Sequence, residues 1–152
     1  MSDPVSSPTE RRRVPRADGL PRRAAAAPAR ATGPSADDAA TLELARRVVE
    51  IAEDKKAADI VLLDLRELTT LADYFVICSG GSDRQLDAIA DAIVETLRPA
   101  GVRPLGREGL AASHWVLLDL GSVIVHLFTP PERDYYQLER HWAAARTVLR
   151  VQ

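Results

Sequence analysis

The chain of 152 residues has a single cysteine, Cys78. One cysteine excludes a disulfide within the chain and is typical of proteins in reducing compartments. Long apolar stretches are also absent, since none approaches the ~18 residues that a transmembrane helix needs. The basic run Arg11–Arg13 is followed by no apolar stretch, so we expect no secretory signal. These absences predict a cytoplasmic protein without a membrane anchor.

The net charge of the chain is small, -2, but it is unevenly distributed. Residues 1–35 hold seven arginines against three acidic residues, a net charge of +4. Residues 36–152 hold 13 lysines and arginines against 19 acidic residues, a net charge of -6. Because affinity for nucleic acid comes mainly from neutralised phosphates, this acidic part is a poor match for RNA or DNA. It suits a basic protein partner better.

Residues 1–35 have the composition of a disordered tail. They carry six of the ten prolines together with Ala, Arg and Ser, and they show no periodic apolar pattern. Composition alone favours a solvated extension, although the arginines make the tail a candidate for a weak contact with RNA. Residues 36–152 are predicted to form a single domain.

Apolar periodicity and capping residues predict three helices and five strands after the tail. Ser35 with Asp38, and Ser82 with Gln85, resemble helix-capping boxes. The predicted elements are a helix from about Ser35 to Lys56, strands Ile60–Leu65 and Tyr74–Ser79, a helix from Ser82 that Pro99 and Gly101 end, a short strand Val102–Leu105, hairpin strands Trp115–Leu120 and Val123–Phe128, and a helix from about Glu132 to Leu149. The order α-β-β-α-β-β-β-α predicts an α/β (α+β) fold, with a mixed sheet of about five strands flanked by helices.

The segment 115–128 has the pattern of a β-hairpin, with Gly121–Ser122 as its two-residue loop. The loop fixes the register, which gives the hairpin one wholly aliphatic face that must be buried. The opposite face carries Trp115, Asp119 and His126 together. A face of such mixed chemistry indicates a contact with something outside the sheet.

The turn SGGS (Ser79–Ser82) lies between a strand and a helix and raises the alternative of a nucleotidyltransferase-like enzyme. Amides of a glycine-rich turn can cradle phosphate, but such enzymes also need carboxylates on neighbouring strands to bind magnesium. The acidic residues that follow the turn form a stripe on a helix, and Asp119 stands alone on its strand, with Asp64 its only candidate neighbour. We therefore expect a tight turn and helix cap, without a metal or a cofactor.

His126 is a further candidate base or metal ligand. The spacing supplies no Ser or Cys nucleophile for it, and the scattered His114 and His141 give no metal-binding motif. We expect a contact with a partner, or a half-buried histidine bonded to Asp119 or to the last helix, rather than catalysis. Cys78, inside an apolar run, is expected to be a small buried hydrophobic residue.

Three motifs resemble the ribosomal silencing factors of the Iojap-like family. They are DYFVICSGGS (Asp73–Ser82), WVLLDLGSVIVHLF (Trp115–Phe128) and RDYYQLERHW (Arg133–Trp142), in that order and with matching spacing. The resemblance covers about residues 37–150. It implies a fold related to nucleotidyltransferases but without their activity, so that the protein is not an enzyme.

The resemblance also implies a function and a partner. Members of the family bind the large ribosomal subunit through its ribosomal protein number fourteen and sterically block docking of the small subunit. Translation is thereby damped when nutrients are scarce. Members are often homodimers when free, and the same is expected here.

Positions of the family motifs supply the candidate site residues. Those assigned to the partner-binding surface are Trp115, Asp119, His126, Tyr136 and Glu139. Those assigned to a structural or dimer role are Asp73, Tyr74, Gly80, Ser82, Arg133, Leu138 and Trp142.

Overall fold

The computed structural model describes residues 36–109 and 113–152. Within them it has six strands, four α-helices and one 3-10 turn. In chain order these are α1 (Ala36–Asp54), β1 (Ala58–Asp64), β2 (Tyr74–Ser79), α2 (Asp83–Leu97), the 3-10 turn Arg98–Ala100, β3 (Gly106–Glu108), β4 (Trp115–Asp119), β5 (Val123–Phe128), α3 (Pro130–Tyr136), α4 (Leu138–His141) and β6 (Arg146–Val151). The proposed tail, and Ser35 of the first predicted capping box, lie outside the described residues.

The six strands form one sheet in the order β3-β4-β5-β2-β1-β6. Its two central strands, β2 and β5, run parallel, and the other neighbouring pairs are antiparallel. Every residue of β2 and of β5 is buried. Near-continuous apolar runs such as these are typical of strands that are covered on both faces.

Helices α1 and α2 cover one face of the sheet. The apolar stripe of α2 meets the aliphatic face of the hairpin, as its helical spacing predicts. The buried residues of α2 are Leu86, Ile89, Ala90, Ile93 and Leu97. Together with the buried side of α1 they form the larger core of the molecule.

The opposite face is covered by short elements. Helices α3 and α4 and the segments around them pack on a second core of aromatic and aliphatic residues. Its buried members include Phe75, Ile77, Leu117, Ile124 and Phe128. This second core includes the side chains of the mixed face of the hairpin, and the short elements packed on it therefore determine how exposed that face is.

Several predicted elements are confirmed. Strand β2 spans the predicted residues Tyr74–Ser79. The hairpin has the predicted register, with Trp115 opposite Phe128, and Gly121 takes the positive φ, +95°, that such a loop requires. The hydroxyl of Ser82 accepts a hydrogen bond from the amide of Gln85 and caps α2.

The predicted last helix, Glu132–Leu149, is wrong. Gln137 adopts a left-handed conformation, with φ +48°, and separates α3 from α4. The chain then leaves the helical path and adds β6 to the edge of the sheet beside β1. The sheet consequently has six strands rather than about five, and the element order ends in two helices and a strand.

The predicted short strand Val102–Leu105 is displaced to β3, Gly106–Glu108. Pro104 has no amide hydrogen to give to a sheet ladder. Pairing with β4 begins only after it, where the amide of Leu105 donates to the carbonyl oxygen of Asp119 at 2.7 Å. The predicted strand Ile60–Leu65 is confirmed with shifted ends, as β1.

None of the helices in the described ranges combines the length and the apolar character that crossing a bilayer requires.

The close approach of Gly109 to β4 gives a stability prediction. Its φ is +95°, and a Cβ added there would collide with the carbonyl oxygen of Trp115. We expect Gly109→Ala to lower the free energy of unfolding by about 1–3 kcal/mol, since the backbone must shift. Gly106→Ala is the matched control, because no atom lies within 4 Å of the added Cβ. Urea denaturation measures both, and equal effects would contradict the prediction.

Candidate partner-binding surface

Trp115 and Tyr136 are partly accessible aromatic side chains on the second face of the sheet. Trp115 opens β4, directly opposite Phe128 of β5, and the two rings stack with centroids 5.1 Å apart. Tyr136, at the end of α3, contacts the indole with a centroid distance of 4.8 Å, and its ring also lies 6.2 Å from that of Phe128. Trp115 and Tyr136 are both half-buried. We call this pair the aromatic patch.

His126 lies beneath the patch and is fully buried. Its ring packs edge-to-face on Phe75 at 4.7 Å. Its Nδ1 accepts a hydrogen bond of 3.3 Å from the indole Nε1 of Trp115. Burial lowers the pKa of His126 to about 3, so the ring is neutral at ordinary pH. An accepting Nδ1 places the single ring proton on Nε2, which has no hydrogen-bond partner among the described residues.

Asp119 is also buried, with 2% of its surface exposed. Its Oδ1 accepts a hydrogen bond of 2.8 Å from the amide of Gly121. The carboxylate therefore fixes the hairpin loop from within. It lies at the far end of β4 from Trp115, so the shared face of Trp115, Asp119 and His126 does not amount to one exposed cluster.

Arg133 fastens the two short helices to the sheet. Its guanidinium forms a two-pronged ion pair with Glu139, with distances of 3.0 and 2.8 Å. The third nitrogen donates to the carbonyl oxygen of Asp59 at 2.6 Å and to the hydroxyl of Ser79 at 2.8 Å. Arg133 is 9% exposed. This bridge spans the break at Gln137 and holds α3, and with it Tyr136, against the carboxyl ends of the central strands.

A part of the Arg133 network was not predicted from the sequence. Glu139 was assigned to the partner surface and Arg133 to a structural role, but their pairing was not foreseen. The spacing of six residues is not that of neighbours on one helix, and it becomes a contact because the helix breaks at Gln137. The hydrogen bonds from Arg133 to Asp59 and Ser79 could not be predicted from local sequence, because both residues lie more than 50 positions before Arg133.

The two glycine amides of the SGGS turn are hydrogen-bonded within the chain. The amide of Gly81 donates to Gln85 Oε1 at 2.6 Å, and the amide of Gly80 donates to the carbonyl oxygen of Phe128 at 2.9 Å. Gln85 Nε2 in turn donates to the carbonyl oxygens of Lys55 and Lys56. Ligand phosphate would have to displace these bonds, so the geometry agrees with the predicted tight turn and helix cap.

Acidic side chains are paired with cations rather than gathered at a metal site. Asp64 bonds Arg66 at 2.9 Å and Arg146 at 3.0 Å. Burial raises the pKa of Asp64, but the hydrogen bonds from Arg66 and Arg146 outweigh it and lower the pKa to about 2. Asp119 lies three strands away in the sheet. No group of three or more His, Cys, Asp or Glu in ranges 36–109 and 113–152 is arranged to hold a metal ion.

The remaining candidate residues lie inside the fold. Asp73 and Tyr74 are buried where β2 begins, and their amides both donate to the carbonyl oxygen of Ser122. Leu138 is buried, and half-buried Trp142 packs edge-to-face on Phe75. Cys78 is fully buried, and burial raises the pKa of its thiol to about 12. Gly80 has no room for a Cβ, which would lie 2.8 Å from Leu86 Cδ2.

Comparison with known proteins identifies similar chains over the described region. The family "Ribosomal silencing factor during starvation" matches residues 38–152. A ribosomal silencing factor of Halalkalibacterium halodurans is 41% identical over 106 residues, which is 70% of this chain and 91% of that protein. One from Bacillus subtilis is 45% identical over 93 residues, 61% and 79% of the two chains. A crystal structure of a protein from Chromobacterium violaceum has a TM-score of 0.65 at 39% identity and covers 67% of this chain and 85% of that one.

Removal of the Arg133 guanidinium is expected to destabilise the fold. Arg133→Gln leaves Glu139 without its partner and breaks the links to Asp59 and Ser79, at a cost of about 2–4 kcal/mol in the free energy of unfolding. Chemical denaturation measures this loss. Arg140→Gln, on α4, is the control, with an expected change below about 0.5 kcal/mol, because Arg140 is exposed. A loss at Arg133 no larger than that of the control would show that the bridge is not needed.

The buried histidine predicts a pH dependence of stability. In the unfolded chain His126 takes up a proton below about pH 6.5, whereas the folded protein resists protonation down to about pH 3. The free energy of unfolding therefore decreases as the pH falls through this window, by ~1.4 kcal/mol per pH unit from this group. Denaturation curves between pH 7 and pH 4 measure the slope, and His126→Leu should flatten it. An unchanged slope in the variant would contradict the assignment.

Proposed function

The chain belongs to the ribosomal silencing factor family, and from this premise we propose that it represses translation by occupying the large ribosomal subunit. The proposed contact is ribosomal protein number fourteen of that subunit. With this surface occupied the small subunit cannot join, and translation is damped when nutrients are limiting. The mechanism is competition for a surface, it needs no bond to be made or broken and no cofactor or metal, and we place it in the cytoplasm.

The aromatic patch is the observation that carries this proposal. Trp115 and Tyr136 contact each other at 4.8 Å and are both half-buried, whereas Phe75 and Phe128 on the same face are fully covered. Tryptophan and tyrosine are enriched among the residues that dominate protein interfaces, because they bury a large area with little loss of side-chain freedom. Glu139, three residues after Tyr136 in the chain, is 28% exposed and is the acidic side chain that we assign to the partner contact.

Charge supports a basic protein as the partner. The net charge of -6 over residues 36–152 favours approach of a basic surface and raises the rate of encounter. Glu139 is held by Arg133 in one orientation. It can accept a further hydrogen bond from a partner with little loss of side-chain entropy.

Asp119 and His126 belong to this proposal as supports rather than as contacts. Both are at most 2% exposed, so neither side chain reaches the surface. Asp119 shapes the hairpin loop through Gly121. The accessible part of the proposed binding surface is therefore the aromatic patch.

A repressor without catalytic activity agrees with the chemistry of the SGGS turn. The amides of Gly80 and Gly81 are hydrogen-bonded within the chain. Asp64 and Asp91 form ion pairs with arginines, and Asp119 lies three strands away from Asp64. In the described ranges, these two amides are therefore not free to bind phosphate, and these aspartates do not form a pair that could bind magnesium for a nucleotide.

Two further proposals concern the whole chain. We propose that the free protein is a homodimer, which sedimentation equilibrium tests through its mass; a monomer at micromolar concentration would exclude it. We also propose that the arginines of residues 1–35 add a weak contact with ribosomal RNA. A chain without these residues should then bind large subunits more weakly at low salt, and equal binding would remove the contact.

Substitution of the patch tests the proposed function. Trp115→Ala should weaken co-sedimentation with purified large subunits by at least about 30-fold, the effect expected of a dominant interface residue, and should restore subunit joining in the protein's presence. Leu105→Ala, an exposed apolar residue outside the patch, is the control and should bind like the wild type. If the wild-type protein fails to sediment with large subunits, the proposed function is wrong. Unchanged binding of Trp115→Ala would reject the patch alone.

A further inference from the structure

We propose that His126 is a positioning residue for the partner-binding surface, and that its Nδ1 holds the Trp115 indole in the single orientation that the partner meets. The inference rests on the function proposed above and deepens it. It assigns to a fully buried residue an effect on binding that it exerts through its neighbour.

Stacking alone does not determine the orientation of the indole. Trp115 contacts both Phe128, at 5.1 Å, and Tyr136, at 4.8 Å. The torsion about the Cβ–Cγ bond of an aromatic side chain is broad and roughly two-fold, so a second arrangement, turned by about half a turn, competes with the observed one. Such a rotation would exchange the edges that the ring presents to its surroundings. The hydrogen bond from Nε1 to His126 Nδ1, 3.3 Å long, selects one of the two arrangements.

The acceptor is itself held on a rigid element. His126 is in the middle of β5, a central strand buried over its whole length. Phe75 packs edge-to-face on the imidazole at 4.7 Å, and Phe128 lies parallel to it at 6.2 Å. An acceptor fixed in this way orients its donor better than one on a mobile surface side chain does.

The ring is also kept in the state that can accept. Burial lowers the pKa of His126, so the lone pair on Nδ1 is free at the pH of a cell. A protonated ring would carry hydrogens on both nitrogens and would repel the indole N–H. Nε2 has no partner among the described residues, so the one hydrogen bond that they give the imidazole of His126 is the bond from Trp115 to Nδ1.

A pre-oriented anchor binds more tightly than a mobile one. The cost of immobilising one large side chain on binding corresponds to roughly a three- to tenfold change in affinity. Loss of the hydrogen bond should therefore weaken binding by about this factor. That loss is smaller than the one expected when the whole side chain of Trp115 is removed.

Two substitutions of His126 separate positioning from packing. His126→Asn places an amide oxygen near the position of Nδ1, whereas His126→Leu fills similar space without an acceptor. We expect His126→Leu to bind purified large subunits three- to tenfold more weakly and His126→Asn to recover most of the affinity. Equal weakening in the two variants, or wild-type binding by His126→Leu, would overturn the proposal.

The indole resonances give a readout that does not depend on the ribosome. The chain has two tryptophans, Trp115 and Trp142, and hence two indole N–H signals in a ¹⁵N-labelled sample. We expect His126→Leu to shift the Trp115 signal upfield and to speed its exchange with solvent, while the Trp142 signal changes less. An unmoved Trp115 signal would mean that the hydrogen bond does not exist in solution.

A third variant covers the case in which substitutions of His126 do not fold. Trp115→Phe keeps the stacked ring and the histidine but removes the donor, and it should show the same three- to tenfold loss. Wild-type affinity in Trp115→Phe would overturn the inference. If the wild-type protein itself does not bind large subunits, the proposed function fails, and the indole signals then decide separately whether His126 holds Trp115.

Discussion

A sheet whose two central strands are buried on both faces must be covered on both faces, and this constraint organises the whole molecule. Strands β2 and β5 are fully buried. Helices of 19 and 15 residues, α1 and α2, cover one side. Among the described residues, the helices that cover the other side are short, with seven and four residues. Large aromatic rings, rather than helix backbone, make up the missing volume there.

This thin cover explains why a binding surface can exist beside the core. A short helix is too small to cover large aromatic rings completely. Trp115 and Tyr136 are therefore half-buried at the edge of this face. Arg133 compensates for the small contact area of α3 and α4 by tying Glu139, Asp59 and Ser79 together. One buried guanidinium thus does for these two helices what extended apolar packing does for α1 and α2.

The sequence predicted those parts of the fold that depend on interactions between residues close together in the chain. The loop at Gly121 fixed the hairpin register, and Ser82 with Gln85 marked the start of α2, because each acts on residues a few positions away. The last helix was predicted wrongly for the opposite reason. The alanines after Trp142 favour a helix, but pairing with β1, some 85 residues earlier, draws Arg146–Val151 into the sheet. Its residues Thr147, Val148 and Val151 are β-branched and were the available signal for a strand.

The candidate site, like the fold, could be predicted from the sequence only in part. Hairpin register placed Trp115, Asp119 and His126 on one face, which the structure confirms, but register cannot tell how deeply a face is covered. Depth depends on α3, α4 and the long-range bridge of Arg133, none of which the hairpin sequence encodes. Once that cover is present, buried His126 can reach a partner only through the indole above it. In the SGGS turn, the amides of Gly81 and Gly80 are likewise already bonded, to Gln85 and to β5. The groups of this site that a partner can reach are therefore the half-buried rings of Trp115 and Tyr136.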